Sequence, residues 1–153
     1  MKDSSANLDG LAFKFFKKFA RFEYALKATQ FHRGDGEAKP NWDMFADSIA
    51  QVIEEPSSQL LTDALDYLLN NPPKKQIIRS GLLEWEAKPP SANSKARLVF
   101  LYIRRVRNNL FHGGKFNEHW FEPERSEQLI QHSLAVLEES LFHSPEVKKA
   151  YNG

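Results

Sequence analysis

The chain has 153 residues, of which 41% are hydrophobic and 12% aromatic, a composition that predicts one folded domain and not a disordered segment. Its 21 basic and 20 acidic residues leave a net charge of +1, so any nucleic-acid binding has to use a local patch of charge. There are no cysteines, which excludes disulfides, thiolate metal sites and cysteine nucleophiles.

The N-terminal part of the chain predicts a flexible polar leader over residues 1–10, followed by a helix. Within the leader, Asn7 or Asp9 is a candidate cap. From residue 11 to residue 26, large apolar residues recur at three- and four-residue steps, the period of an amphipathic helix. Lysines and Arg21 interrupt this run, and no stretch approaches the roughly 18–20 uncharged residues of a membrane span. We therefore expect a protein without membrane contact and a cytoplasmic location.

Two further helices are predicted before residue 74. Asn41 is placed to cap a helix that ends before Pro56, and Ser57 or Ser58 opens the next one, which stops at the prolines of residues 70–73. Residues 74–94 are left open as a short helix, an extended piece or a turn. Such a long connection either holds a small element or covers part of the surface.

The central helix of the predicted fold starts at Asn93 or Ser94, and its residues 98–103 are apolar nearly all round. Gly113 and Gly114 provide its left-handed exit. A last helix starts at Pro123 and runs to His143. The expected fold is all-α, an up-and-down bundle of four to five main helices in a single domain over residues 11–151.

The stretch 104–116 concentrates the candidate functional groups: three arginines, two asparagines, a histidine, two glycines and a lysine. Arg104, Asn108 and His112 are four residues apart and share one helix face. Arg107 and His112 are five apart, or roughly 140° around the helix axis. These two side chains converge only if the last turn unwinds or if a second chain completes the site.

The residue types in this stretch suit phosphate chemistry. Arginine binds phosphate through a planar fork of donors, and a histidine at a helix end with arginines nearby has a pKa suited to proton transfer. Asn108 is placed to orient the imidazole or hold a phosphate oxygen. The simpler interpretation is that His112 caps the helix and the arginines form a solvated face.

The order Arg107, Asn108, three residues, His112 resembles the signature of the HEPN superfamily. The resemblance implies an α-helical bundle that pairs as a homodimer, with the motif where the two chains meet. It also implies a metal-independent ribonuclease without cofactor, of the kind found in toxin–antitoxin and phage-defence systems.

Carried over residue by residue, the resemblance makes Arg107, Asn108 and His112 the catalytic set. Arg104, Arg105 and Lys115 are the candidate substrate-binding residues, and RNA is the substrate. A cognate antitoxin or defence-system protein is a further expected partner. Some members carry a tyrosine that is adenylylated where this chain has Lys115, so that form of control is not expected here.

Two other functions remain open on the sequence alone. One is a non-catalytic module that binds nucleotide, RNA or a protein through the same arginines. The other is a structural or antitoxin-like bundle, in which Arg107 would be held in an intramolecular ion pair. No histidine arrangement matches a metal motif. Glu23 is a candidate acid near the site, or else the partner of Lys27 one helical turn on.

Overall fold

The computed structural model describes residues 4–111, 115–116, 119–120 and 122–153, with side chains described for residues 7–111 and 122–153. The helices in this part of the chain are α1 (Ser4–Ala28), α2 (Trp42–Ser48), α3 (Ala50–Glu54), α4 (Gln59–Asn70), α5 (Lys95–Phe111), α6 (Pro123–Phe142) and α7 (Pro145–Asn152). The strands form two antiparallel hairpins, β1 (Lys75–Arg79) with β2 (Leu82–Glu86), and β3 (Lys115–Phe116) with β4 (His119–Trp120). The fold is mostly helical, as predicted.

Two sets of helices share the core. α6 packs against both α1 and α4, while α5 packs against the short helices α2 and α3 and reaches α4 and α6. The helix starts agree with the sequence signals, because the side chains of Asn41, Ser58 and Ser94 each accept a hydrogen bond from a backbone N–H in the first turn of α2, α4 and α5, at 3.0–3.1 Å. Pro123 occupies the first turn of α6, as predicted.

An aromatic cluster joins α1, α2 and α5 at the centre of the fold. Trp42 stacks on Phe22 with ring centroids 5.3 Å apart and also on Phe100 at 5.7 Å. Phe45 meets the Phe22 and Phe100 rings edge-on and is fully buried. The indole Nε1 of Trp42 donates to Glu23 Oε2 at 2.8 Å, which satisfies the polar atom of this buried ring.

The structure corrects the predicted boundaries at three places. Residues 4–10 belong to α1 and not to a flexible leader, because Leu8 is buried in the core and extends the apolar face of the helix. The second predicted helix is divided into α2 and α3 where Ile49, with φ −119° and ψ 20°, leaves the helical conformation. The chain continues after Pro145 as α7, which packs on α1 and holds Val147 buried.

Residues 75–86 settle the question left open for the segment 74–94: they form the β1–β2 hairpin. Ser80 and Gly81 both have positive φ (52° and 77°), the conformation of a tight two-residue turn whose twist matches that of the strands. On one face Arg79 bonds to Glu84 and Glu86. The hairpin starts beside α5 and ends in an exposed apolar tip that includes Ile78.

The contact between α4 and α6 predicts a pH dependence of stability. His132 of α6 stacks on Tyr67 of α4 with ring centroids 4.7 Å apart, and burial lowers the pKa of this imidazole, with nearby Asp63 opposing. His132 therefore binds a proton more readily in the unfolded chain than in the folded one. The contribution of the neutral imidazole to the free energy of unfolding is present above about pH 6.5 and is lost as pH falls through the lowered pKa. We expect the free energy of unfolding, measured by urea at pH 7.5 and 5.5, to fall less in His132→Gln than in the unsubstituted protein. Equal losses in the two proteins would contradict this assignment.

Candidate functional site

The second half of α5 carries the cationic residues out of the core. Ile103 and Val106 are buried, and so is Tyr102, as predicted. Three of the residues in this stretch are arginines. Because successive residues of a helix point about 100° apart around its axis, these arginines leave the core in different directions. Arg104, Arg105 and Arg107 are each half-buried.

Arg107 is held by aromatic rings and by its neighbour. Its guanidinium carbon lies 5.8 Å from the ring centroid of Phe19 on α1 and 5.3 Å from that of Phe111. Its Nη1 donates to Asn108 Oδ1 at 3.0 Å. Among the residues that the structure describes, no carboxylate lies within ion-pair distance of Arg107. Within the described residues, the guanidinium is therefore oriented by rings and an amide and not by a carboxylate.

Arg104 and Arg105 are held mainly by backbone carbonyls. Arg104 Nε donates to Phe100 O at 3.3 Å, and its Nη2 lies 3.8 Å from Asp43 Oδ1. Arg105 Nη1 donates to Pro73 O at 3.5 Å. Burial lowers the pKa of both guanidinium groups, while Asp43 acts in the opposite direction at Arg104. Both remain charged at neutral pH because an arginine pKa starts far above it.

A groove of about 380 Å³ lies between β1 and α5, referred to below as the β1–α5 groove. Its walls are formed by Lys75, Gln76, Leu101, Arg104, Arg105, Asn108 and Asn109. None of these seven residues is acidic, so the walls combine three cations with three side-chain amides. Asn109 Nδ2 donates to Lys74 O at 2.8 Å, which fixes the start of the hairpin to α5.

The structure thus brings together four of the sequence-predicted residues. Arg104, Arg105 and Asn108 line one groove, as the shared helix face of Arg104 and Asn108 predicts, and Arg107 joins them through its bond to Asn108. His112 lies outside the described residues, as do Gly113 and Gly114. Lys115 belongs to β3, but its side chain is outside the described part of the chain.

Three polar groove residues were not found from the sequence: Lys75, Gln76 and Asn109. Lys75 and Gln76 reach α5 only because the hairpin folds back on it, which residue spacing along α5 does not reveal. Glu23 is bound by a contact that the sequence did not predict, because its carboxylate accepts the Trp42 indole N–H, and the described residues show no pair between it and Lys27. Its charge also acts on Arg104, where it opposes the lowering of the guanidinium pKa by burial.

A second, smaller cavity lies between Trp85, α5 and the start of α6. The charged groups on its wall are paired, because Lys74 Nζ and Arg125 Nε each lie 3.9 Å from the Glu122 carboxylate. Arg125 Nη2 also donates to Pro72 O at 2.6 Å. These bonds tie the hairpin base to α6. The charged groups around this cavity therefore have a structural role.

Comparison with protein-family models, curated proteins and solved structures gave no match for this chain. Within the described residues, no three histidine, aspartate or glutamate side chains are placed to hold a metal ion together. Of the helices that the structure describes, none combines the length and apolar character needed to cross a bilayer.

Proposed function

We propose that the chain is a metal-independent RNA endonuclease of HEPN type that works as a homodimer. In this proposal Arg107, Asn108 and His112 carry the reaction, and Arg104, Arg105 and Lys115 bind the substrate. The resemblance at residues 107–112 supplies the reaction type. The geometry around Arg107 supplies the physical support.

The observation that carries the proposal is the state of Arg107. The structural-bundle alternative requires that Arg107 be paired with a carboxylate of the same chain. In the described part of the chain Arg107 has none, and two rings and Asn108 set the plane of its guanidinium. An oriented cation without a counter-charge is suited to an incoming phosphate, because little reorganisation is needed when the phosphate binds.

The proposed reaction starts from the ribose 2′-hydroxyl next to the scissile phosphate. His112 accepts the hydroxyl proton as the 2′-oxygen bonds to phosphorus, and the bond from phosphorus to the 5′-oxygen breaks. The leaving 5′-oxygen takes up a proton from water, and the protonated His112 later returns its proton to water, so the products are a 2′,3′-cyclic phosphate and a 5′-hydroxyl. Arg107 neutralises the charge that builds up on the phosphoryl oxygens. Asn108 orients the guanidinium.

The proposed dimer is one of the two arrangements that the helix period allows, and exposed apolar surface supports it. Arg107 and His112 are five residues apart, so a second copy is the simplest way to gather two sets around one phosphate. Phe111, beside Arg107, is 62% exposed, and α1 exposes Phe13 (65%) and Tyr24 (61%). Such rings are candidates for burial between subunits. A toxin or phage-defence role, with a cognate partner protein in the cytoplasm, follows from the resemblance alone.

We expect the purified chain to cleave single-stranded RNA at the same rate with and without EDTA, because no step uses a metal ion. The measurement is gel analysis of a labelled RNA, with the new 3′ ends tested for cyclic phosphate by their resistance to a phosphatase before, but not after, acid treatment. Cleavage that stops on addition of EDTA would contradict the mechanism. An intact substrate would contradict the nuclease as a whole.

The second candidate function is RNA binding without cleavage, and the β1–α5 groove is the observation that favours it. Its three cations and three amides are a binding surface whether or not His112 takes part in chemistry. Retained RNA binding with no turnover in the same assay would identify this function.

A further inference from the structure

We propose that the β1–α5 groove binds one nucleotide of a single-stranded RNA, immediately next to the phosphate held by Arg107, with the β1–β2 hairpin as its outer wall. The substrate class rests on the proposed function. What is new is the assignment of the groove and of the hairpin residues Lys75 and Gln76. The hairpin thereby acquires a role in substrate binding.

The charges of the groove favour a phosphate. Lys75 is exposed, and Glu86, its cross-strand partner, is bonded to Arg79 at 2.8 Å. Arg104 and Arg105 are partly buried, so part of their hydration is already lost. Burial lowers the pKa of both, and it is opposed by Asp43 at Arg104 and by Tyr102 and Glu86 at Arg105. A phosphate entering the groove therefore meets cations in a medium that screens charge less than water does.

The amides of the groove offer both donors and acceptors. Asn108 Oδ1 accepts from Arg107, so among the bonds of the described residues its N–H groups are the part left to bind a ligand. Asn109 shows the reverse there, because its Nδ2 donates to Lys74 O and its carbonyl oxygen is left as an acceptor. Gln76 supplies a third amide on the opposite wall. Base edges and ribose hydroxyls need this mixture of donors and acceptors.

The position of the groove fits a strand that continues from the reaction site. Asn108 connects the groove to the proposed reaction site, because it lines the groove and its Oδ1 lies 3.0 Å from Arg107 Nη1. The volume of about 380 Å³ falls in the range of small-ligand sites, roughly 300–1,000 Å³, and is enough for a nucleotide but not for a duplex. A strand held by Arg107 therefore has its neighbouring nucleotide beside the groove.

The test measures binding of a fluorescein-labelled 2′-O-methyl RNA, which the protein cannot cleave, as a function of salt concentration. Each cation that contacts a phosphate contributes about 0.7 to the slope of log K against log salt for a single strand. We expect Lys75→Gln and Arg105→Gln each to reduce this slope by about 0.7 and to weaken binding at low salt. Lys149→Gln, an exposed lysine on α7, is the matched control and should leave the slope unchanged.

Unchanged slopes in both groove variants would overturn the proposal, as would absence of RNA binding by the unsubstituted protein. Equal competition by polyglutamate and by unlabelled RNA would also overturn it, in favour of an acidic protein ligand. Lys75 is exposed, so its variant tests the groove even if Arg105→Gln destabilises the fold; thermal denaturation of both variants distinguishes these cases. Reduced slopes in a protein that fails to cleave unmodified RNA would support the groove while refuting the nuclease.

Discussion

Replacement of His112 by alanine is expected to slow RNA cleavage by about 10²-fold or more while the fold remains unchanged. The reason is that proton transfer by a positioned side chain typically accounts for roughly 10²–10⁴-fold in rate. The measurement is the single-turnover rate of cleavage of a labelled RNA, with circular dichroism and thermal denaturation to verify folding. His143→Gln, at the end of α6, is the control and should cleave at the unsubstituted rate.

Arg107→Lys is a second test of the same site. The substitution keeps the positive charge but removes the planar fork that Phe19, Phe111 and Asn108 hold in place. Lysine does not replace arginine at stacked or bidentate positions, so cleavage should fall by roughly tenfold or more even though charge is preserved. If His112→Ala and Arg107→Lys both cleave at the unsubstituted rate, these residues are not the reaction site.

Phe45→Ala is expected to have the largest effect on stability. Phe45 is fully buried and its ring meets those of Phe22, Phe31, Trp42 and Phe100 at centroid distances of 5.3–6.4 Å. Truncating a buried phenylalanine typically costs about 3–5 kcal/mol, because burial is lost and a cavity remains. Urea denaturation measures this change, which is a large fraction of the roughly 5–15 kcal/mol that stabilises a typical domain.

Phe142→Ala is the matched control for this loss. The same side chain is removed, but from the end of α6, where the Phe142 ring is 69% exposed and contacts Lys148. Surface substitutions usually change stability by no more than about 0.5 kcal/mol. Equal losses in the two variants would show that the cluster around Trp42 does not hold the fold together.

The helical parts of the fold were accessible from the sequence because their signals are local. Asn41, Ser58 and Ser94 cap helices through bonds to residues three positions away, so each cap can be recognised without knowing the rest of the fold. The β1–β2 hairpin could not be predicted in this way. Its exposed residues include the apolar Ile78 and Leu83, so its sequence lacks the alternation of polar and apolar residues that is typical of a half-buried strand. The helical start of residues 4–10 depends on burial of Leu8 by other elements, which no local pattern expresses.

The candidate site could also be predicted only in part from the sequence. Arg107, Asn108 and His112 are close in sequence and could be singled out by type and spacing. The groove could not, because Lys75 and Arg105 become neighbours only through the folded hairpin. The Phe19 ring beside Arg107 could not be found either, because it comes from α1. Phe111, four residues after Arg107 on the same helix, could have been found from spacing.

The contact between α2 and α5 has a thermodynamic consequence for the groove. Asp43 and Asp47 of α2 bind Arg97 of α5, and Asp43 also lies 3.8 Å from Arg104. A phosphate that takes Arg104 competes with Asp43 for the same guanidinium. Coupling of this kind is reciprocal. An occupied groove would weaken the hold of α2 on α5, and release of α2 from α5 would strengthen phosphate binding at Arg104 by the same factor.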